Sequence, residues 1–130
     1  LVPEVILVDD YLKFLTYLEL ISDMRILDEL YLLLTSESLS GRKVVSAMTS
    51  ALRNANISTD RDYVAILGGY KNNPFLKKKW NAYKKRSDFE SASWDEVIEL
   101  ITFFLDKIWK FITDDMIFLD EWMPQLRRFM

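Results

Sequence analysis

The chemistry open to this chain starts with a run of cations. Residues 71–86 read KNNPFLKKKWNAYKKR, with seven basic side chains and no acidic one. The chain's formal charge of −3, less the segment's +7, leaves −10 for the remainder, so charge is strongly segregated. Lys77 and Lys84, Lys78 and Lys85, and Lys79 and Arg86 are each seven residues apart, about two helical turns. On a helix they form three parallel basic ridges opposite an apolar stripe of Leu76, Trp80 and Tyr83. Such a surface suits a phosphate backbone of RNA or another nucleic acid, because each cation that meets a phosphate releases a condensed counterion. The same pattern also describes an ordinary amphipathic helix whose solvated charges are balanced by Asp88, Glu90, Asp95, Glu96 and Glu99. Trp80 and Tyr83 belong to the apolar stripe, which makes them poor partners for base stacking.

Other chemistry is narrowed by what is missing. There is no histidine and no cysteine, which excludes Ser-His and Cys-His nucleophiles, disulfides and zinc–cysteine sites. Carboxylates, lysine and tyrosine remain, with a hard cation such as magnesium as their natural partner. Two-metal chemistry needs acidic residues converging from a strand, usually after a glycine-serine turn, and the sequence has no such turn. Asp114, Asp115, Asp120 and Glu121 read as cap and surface positions, and no metal site is expected. Val5-Ile-Leu-Val8 followed by Asp9-Asp10 resembles the opening of a receiver domain, but no alternation of strand and helix follows.

The elements that must position these residues read as helices. Only three glycines and three prolines punctuate the chain, while half of it is apolar and 14% aromatic. A sizeable core built from long helices is what that composition allows. Asp9 or Asp10 is expected to cap a helix reaching about residue 22, and a second helix covers 25–35. A loop over 36–41 leads to a third helix ending near 54, with Val44, Met48, Leu52 and Ala55 on one stripe. Ser58 or Thr59 is expected to cap a short helix over 60–67, stopped by Gly68-Gly69 in the left-handed conformation. Pro74 suits the first turn of the basic helix, 74–86. Ser93-Trp-Asp-Glu96 is a capping box that opens a longer helix to about residue 112. Residues 114–130 are amphipathic but interrupted by Pro124. The expectation is one all-α domain over 1–130, a compact bundle of about six or seven helices. Several helices are apolar on more than one face, which points to deep burial or to a surface that meets a partner, a second copy or a missing domain.

No stretch approaches the roughly 18 apolar residues of a membrane span. Leu1-Val2-Pro3-Glu4 lacks the basic start of a secretory signal, so the expected location is cytoplasmic, with no membrane partner. The absence of an initiator methionine fits a fragment of a larger two-lobed protein or a processed product.

From about residue 25 to 112 the order of motifs resembles the C-terminal half of the AbiEii-type nucleotidyltransferase toxins of abortive-infection and toxin–antitoxin systems. RILDELYLLL at 25–34 looks like that family's arginine–aspartate helix. Thr49 and Arg53 fall where the family tends to place a threonine and an arginine. NPFLKKKWNAYKKR resembles its basic tryptophan helix, and SWDEVIELITFFLDKI at 93–108 its closing helix. The family's glycine-rich turn with paired aspartates is absent, and Tyr31 stands where a second aspartate is usual. The resemblance implies that Lys13, Arg25 and Asp28 face an active-site cleft, with Lys13 meeting a triphosphate. It also implies magnesium, a nucleoside triphosphate, an RNA acceptor and an antitoxin, with the nucleotide-binding half lying elsewhere. Lys77, Lys78, Lys79, Lys84, Lys85 and Arg86 would then contact RNA phosphates. Arg25 and Asp28 read equally well as a surface ion pair. On these grounds the chain is expected to be inactive alone. A non-enzymatic interaction domain and a stand-alone nucleic-acid-binding module are the alternatives.

Overall fold

A computed structural model describes residues 2–86 and 92–130. Among them are six α-helices: α1 (Pro3–Tyr17), α2 (Met24–Ser36), α3 (Gly41–Asn54), α4 (Tyr63–Gly69), α5 (Pro74–Arg86) and α6 (Trp94–Thr113). Short 3-10 turns at Leu18–Leu20 and Tyr70–Asn72 follow α1 and α4. The helical expectation holds, and no described helix is long and apolar enough to cross a membrane.

The core is built around α6. Its inward stripe of Val97, Ile98, Ile101, Phe104, Leu105 and Ile108 is buried, and α2, α3 and α4 pack against it. α1 closes the other side on α2 and α3. Buried aromatic groups find polar partners, as they must in a low-dielectric interior. Tyr11 donates its hydroxyl to the Ile101 carbonyl at 2.6 Å, and the Trp94 indole N–H donates to the Tyr70 carbonyl at 3.0 Å. The capping box acts as read: the Ser93 hydroxyl accepts from the Glu96 amide at 3.2 Å.

Four local expectations are overturned. Asp9 and Asp10 do not cap a helix, because α1 already begins at Pro3, where a residue without an amide hydrogen costs nothing. The four residues Val5–Val8 therefore lie inside the helix, with Leu7 and Val8 buried and Val5 exposed. The short helix starts later than read, capped by Asp62, whose carboxylate accepts from the Ala65 amide at 3.0 Å. Gly68 and Gly69 belong to that helix, and neither takes a positive φ. Finally, residues 114–130 form no helix. β2 (Glu121–Met123) pairs antiparallel with β1 (Leu39–Ser40) and with β3 (Arg128–Phe129), in the order β1-β2-β3.

This small sheet is peripheral and seals the end of the bundle. Trp122 is fully buried, donates its indole N–H to the Leu34 carbonyl at 2.8 Å and meets Phe104 edge-on at 5.0 Å. Gly41 is required here by contact rather than by backbone angle. Its amide donates to the Asp120 carbonyl at 3.0 Å, and a Cβ on it would lie 2.5 Å from that same oxygen.

Candidate nucleic-acid interface

Local sequence fixes α5 firmly at its start. Pro74 opens the helix, and the Asn73 side chain accepts from the Phe75 and Leu76 amides at 3.0 and 3.1 Å. Leu76 and Trp80 are fully buried, and the Trp80 indole N–H donates to the Ala92 carbonyl at 3.0 Å. Trp80 is thus a core residue and unavailable to a base. Tyr83 completes the inner stripe and donates its hydroxyl to the Asp28 carboxylate at 2.6 Å. Burial, and then that hydrogen bond, push the Tyr83 phenol up to about 12, so it stays protonated as the donor.

With the inner stripe anchored, the helical phase of about 100° per residue sets the three basic ridges at different depths. Lys77 and Lys84 flank the core on the α6 side. Lys77 stands 4.0 Å from Asp95, and the Lys84 charge acts on Glu96. Lys79, on the opposite flank, donates to the Ile21 carbonyl at 3.0 Å and so ties α5 to the turn after α1. Lys78, Lys85 and Arg86 are exposed and have no ion-pair partner among the described residues. Asp88 and Glu90, expected as part of the balancing acidic run, lie outside the described residues. Lys71, just before α5, is paired with Glu99 on α6. Among the described residues, the outer face of α5 therefore presents positive charge without an ion-pair partner, together with Phe75, which is 76% exposed.

The residues implied to face a cleft lie on a second polar face, where α1, α2 and the inner side of α5 meet. Lys13 pairs with Asp9 one turn back at 3.0 Å. Arg25 folds back onto Asp23, the residue that caps α2, at 2.9 Å. Asp28 is taken by Tyr83. The ion pair expected between Arg25 and Asp28 is thus replaced by two separate pairings. Tyr31, at the position of the missing aspartate, donates to Glu96 and accepts from Arg127 at 3.0 Å, tying the C-terminal hairpin to α2 and α6. Thr49 gives its hydroxyl to the Val45 carbonyl within α3 at 2.8 Å, and with Arg53 it borders a shallow depression near Asp115.

One feature of this face escaped the sequence. Asp10 is 3% exposed, and one of its carboxylate oxygens has no hydrogen-bond partner among the described residues. Burial, followed by the hydrogen-bonded carboxylate of Glu29, pushes Asp10 up to about 8, against the pull of Lys13. Burial and the neighbouring Glu29 carboxylate thus favour the neutral form of Asp10. An aspartate at the end of an apolar run signals a cap only if the helix starts there, and Pro3 was the overlooked start signal.

The magnesium implied by the resemblance needs converging, deprotonated carboxylates. Here Asp28 accepts from Tyr83, and burial favours the neutral form of Asp10. No group of three or more acidic residues among those described is arranged to hold a metal ion. These residues do not make a magnesium site.

Comparison of the chain with protein families, with curated proteins and with solved structures finds no match in any of the three.

Proposed function

We propose that this chain is the non-catalytic helical lobe of a nucleotidyltransferase-like toxin, and that it holds RNA by its phosphates on the outer face of α5. The carrying observation is the set of exposed cations Lys78, Lys85 and Arg86, without an ion-pair partner among the described residues, on a helix anchored by Trp80. Cations already matched inside a protein gain little from a new anion, whereas unmatched ones gain counterion release. The order of motifs along residues 25–112 supports the toxin context. In this reading magnesium and the nucleoside triphosphate belong to a second lobe that carries the paired aspartates.

The test uses the 130-residue chain with labelled single-stranded RNA. Binding that disappears when Lys77, Lys78, Lys79, Lys84, Lys85 and Arg86 are all changed to Gln, with the helical fold retained, supports the reading. Transfer of labelled nucleotide to RNA by this chain with magnesium would overturn the non-catalytic part.

A second reading rests on a different surface. Met116, Ile117 and Leu119, between α6 and β2, are 45%, 74% and 75% exposed, an apolar run that suits a protein partner, whether an antitoxin, another domain or a second copy. Salt-insensitive self-association, abolished by charged substitutions at Ile117 and Leu119, would favour it.

A further inference from the structure

We propose that α5 takes single-stranded rather than duplex RNA, with Phe75 stacking on a base while Lys78, Lys85 and Arg86 hold the neighbouring phosphates. The inference rests on the α5 reading above and adds the form of nucleic acid and the residue that selects it.

Phe75 is an exposed aromatic side chain without a ring or cation–π partner among the described residues. It is 76% exposed, whereas Trp80, Trp94 and Trp122 are at most 1% exposed. Phe103, the other exposed phenylalanine among the described residues, sits beneath the Lys107 ammonium at 5.1 Å. Among the described residues, Phe75 has no such cover. Its ring is also well aimed. At 100° per residue, Lys78 and Lys85 lie on one side of Phe75 around the helix and Arg86 on the other, with the small Ala82 on the same outward strip. The group runs from Phe75 to Arg86, roughly 16 Å of helix, the reach of a few nucleotides. Pro74 and the Asn73 cap hold the Phe75 backbone in the first turn, so no backbone ordering is needed when a base lands on the ring.

The chemistry favours an unpaired strand. Inside a duplex the base faces are covered by their neighbours, and phosphates alone are offered. A single strand can splay a base onto an aromatic ring while its backbone follows the cations. Trp80 and Tyr83, the obvious aromatics of this helix, are turned inward, and Phe75 is the one left outward on α5.

The experiment measures binding of the full chain to a single-stranded oligoadenylate of about ten nucleotides carrying a fluorescent adenine analogue, and to the same strand annealed to its complement. Phe75→Ala should weaken single-strand binding about tenfold, leave the salt dependence unchanged, and leave duplex binding and the melting temperature as in the parent. Phe75→Trp should keep the affinity and quench the analogue as the parent does. Equal affinity for Phe75→Ala and the parent would overturn the stacking, as would equal losses for single strand and duplex. So would unchanged RNA binding with lost self-association, which would assign Phe75 to a second copy. If the parent binds no oligonucleotide at all, the α5 reading itself falls. If it binds with a steep salt dependence but ignores Phe75, only the stacking falls.

Discussion

On the face where α1 meets α2, Lys13 answers Asp9, Arg25 answers Asp23 and Tyr83 answers Asp28, while burial and Glu29 favour the neutral form of Asp10. On the outer face of α5, Lys78, Lys85 and Arg86 answer nothing among the described residues. Both faces hold many charged groups close together. In the first, opposite charges are consumed locally and leave little field for a ligand. In the second, like charges add, and no described residue pairs with them, which is the potential that the proposed polyanion would use. A count of charges along the sequence does not separate these cases; their partners in the fold do.

The contrast can be broken at several points. The largest effect is expected from the triple change Lys78→Gln, Lys85→Gln and Arg86→Gln, which should weaken binding to single-stranded RNA on the order of a hundredfold at low salt. Its melting temperature should stay at that of the parent. Fluorescence anisotropy and thermal denaturation decide between surface and structure.

Next comes Asp10. Its folded pKa, about 8, lies above the ordinary value of 3.8, so the folded state binds the proton more tightly than the unfolded chain. Below about pH 4 both states are protonated and nothing is lost. As pH rises from about 4 to 8 only the folded state keeps the proton, and stability falls until it levels off above about 8. Asp10→Asn keeps a neutral side chain of the same shape beside Glu29 and should flatten that decline. It should gain about 2 kcal/mol, roughly 5 °C in melting temperature, at pH 8. RNA affinity should not move.

Tyr83→Phe removes the donor to Asp28 and should cost about 1 kcal/mol, seen in denaturant unfolding, while the outer face keeps its affinity. Arg25→Gln should change least. Its guanidinium is exposed and bound only to its own capping neighbour, so neither melting nor RNA binding should shift measurably. Loss of RNA binding in Arg25→Gln would mean that the α1–α2 face, and not α5, meets the nucleic acid.

Much of this was legible in the sequence where a signal was local and strong. The Ser93 capping box, Pro74 and the stripe of Leu76 and Trp80 defined α5 and α6 with nearly correct limits. The signals failed where tertiary partners decide. Trp122 and Phe129 belong to strands because the end of the bundle supplies Leu34, Phe104 and Leu39 to receive Trp122; residues 114–130 alone read as a broken amphipathic segment. Gly68-Gly69 looked like a stop, yet α4 runs through both, since glycine permits a left-handed turn without imposing one. Within the basic helix, spacing named all six cations but could not say that Lys79 is spent on the Ile21 carbonyl. Nor could it show that Phe75 is the aromatic facing out.

The most direct test of the central claim is the salt dependence of RNA binding by the unmodified chain. Three phosphate contacts to a single strand predict that log K falls against log salt with a slope of about −2, and that the triple glutamine variant brings it close to zero. A slope near zero in the parent, or an unchanged slope in the variant, would contradict a role for the outer face of α5.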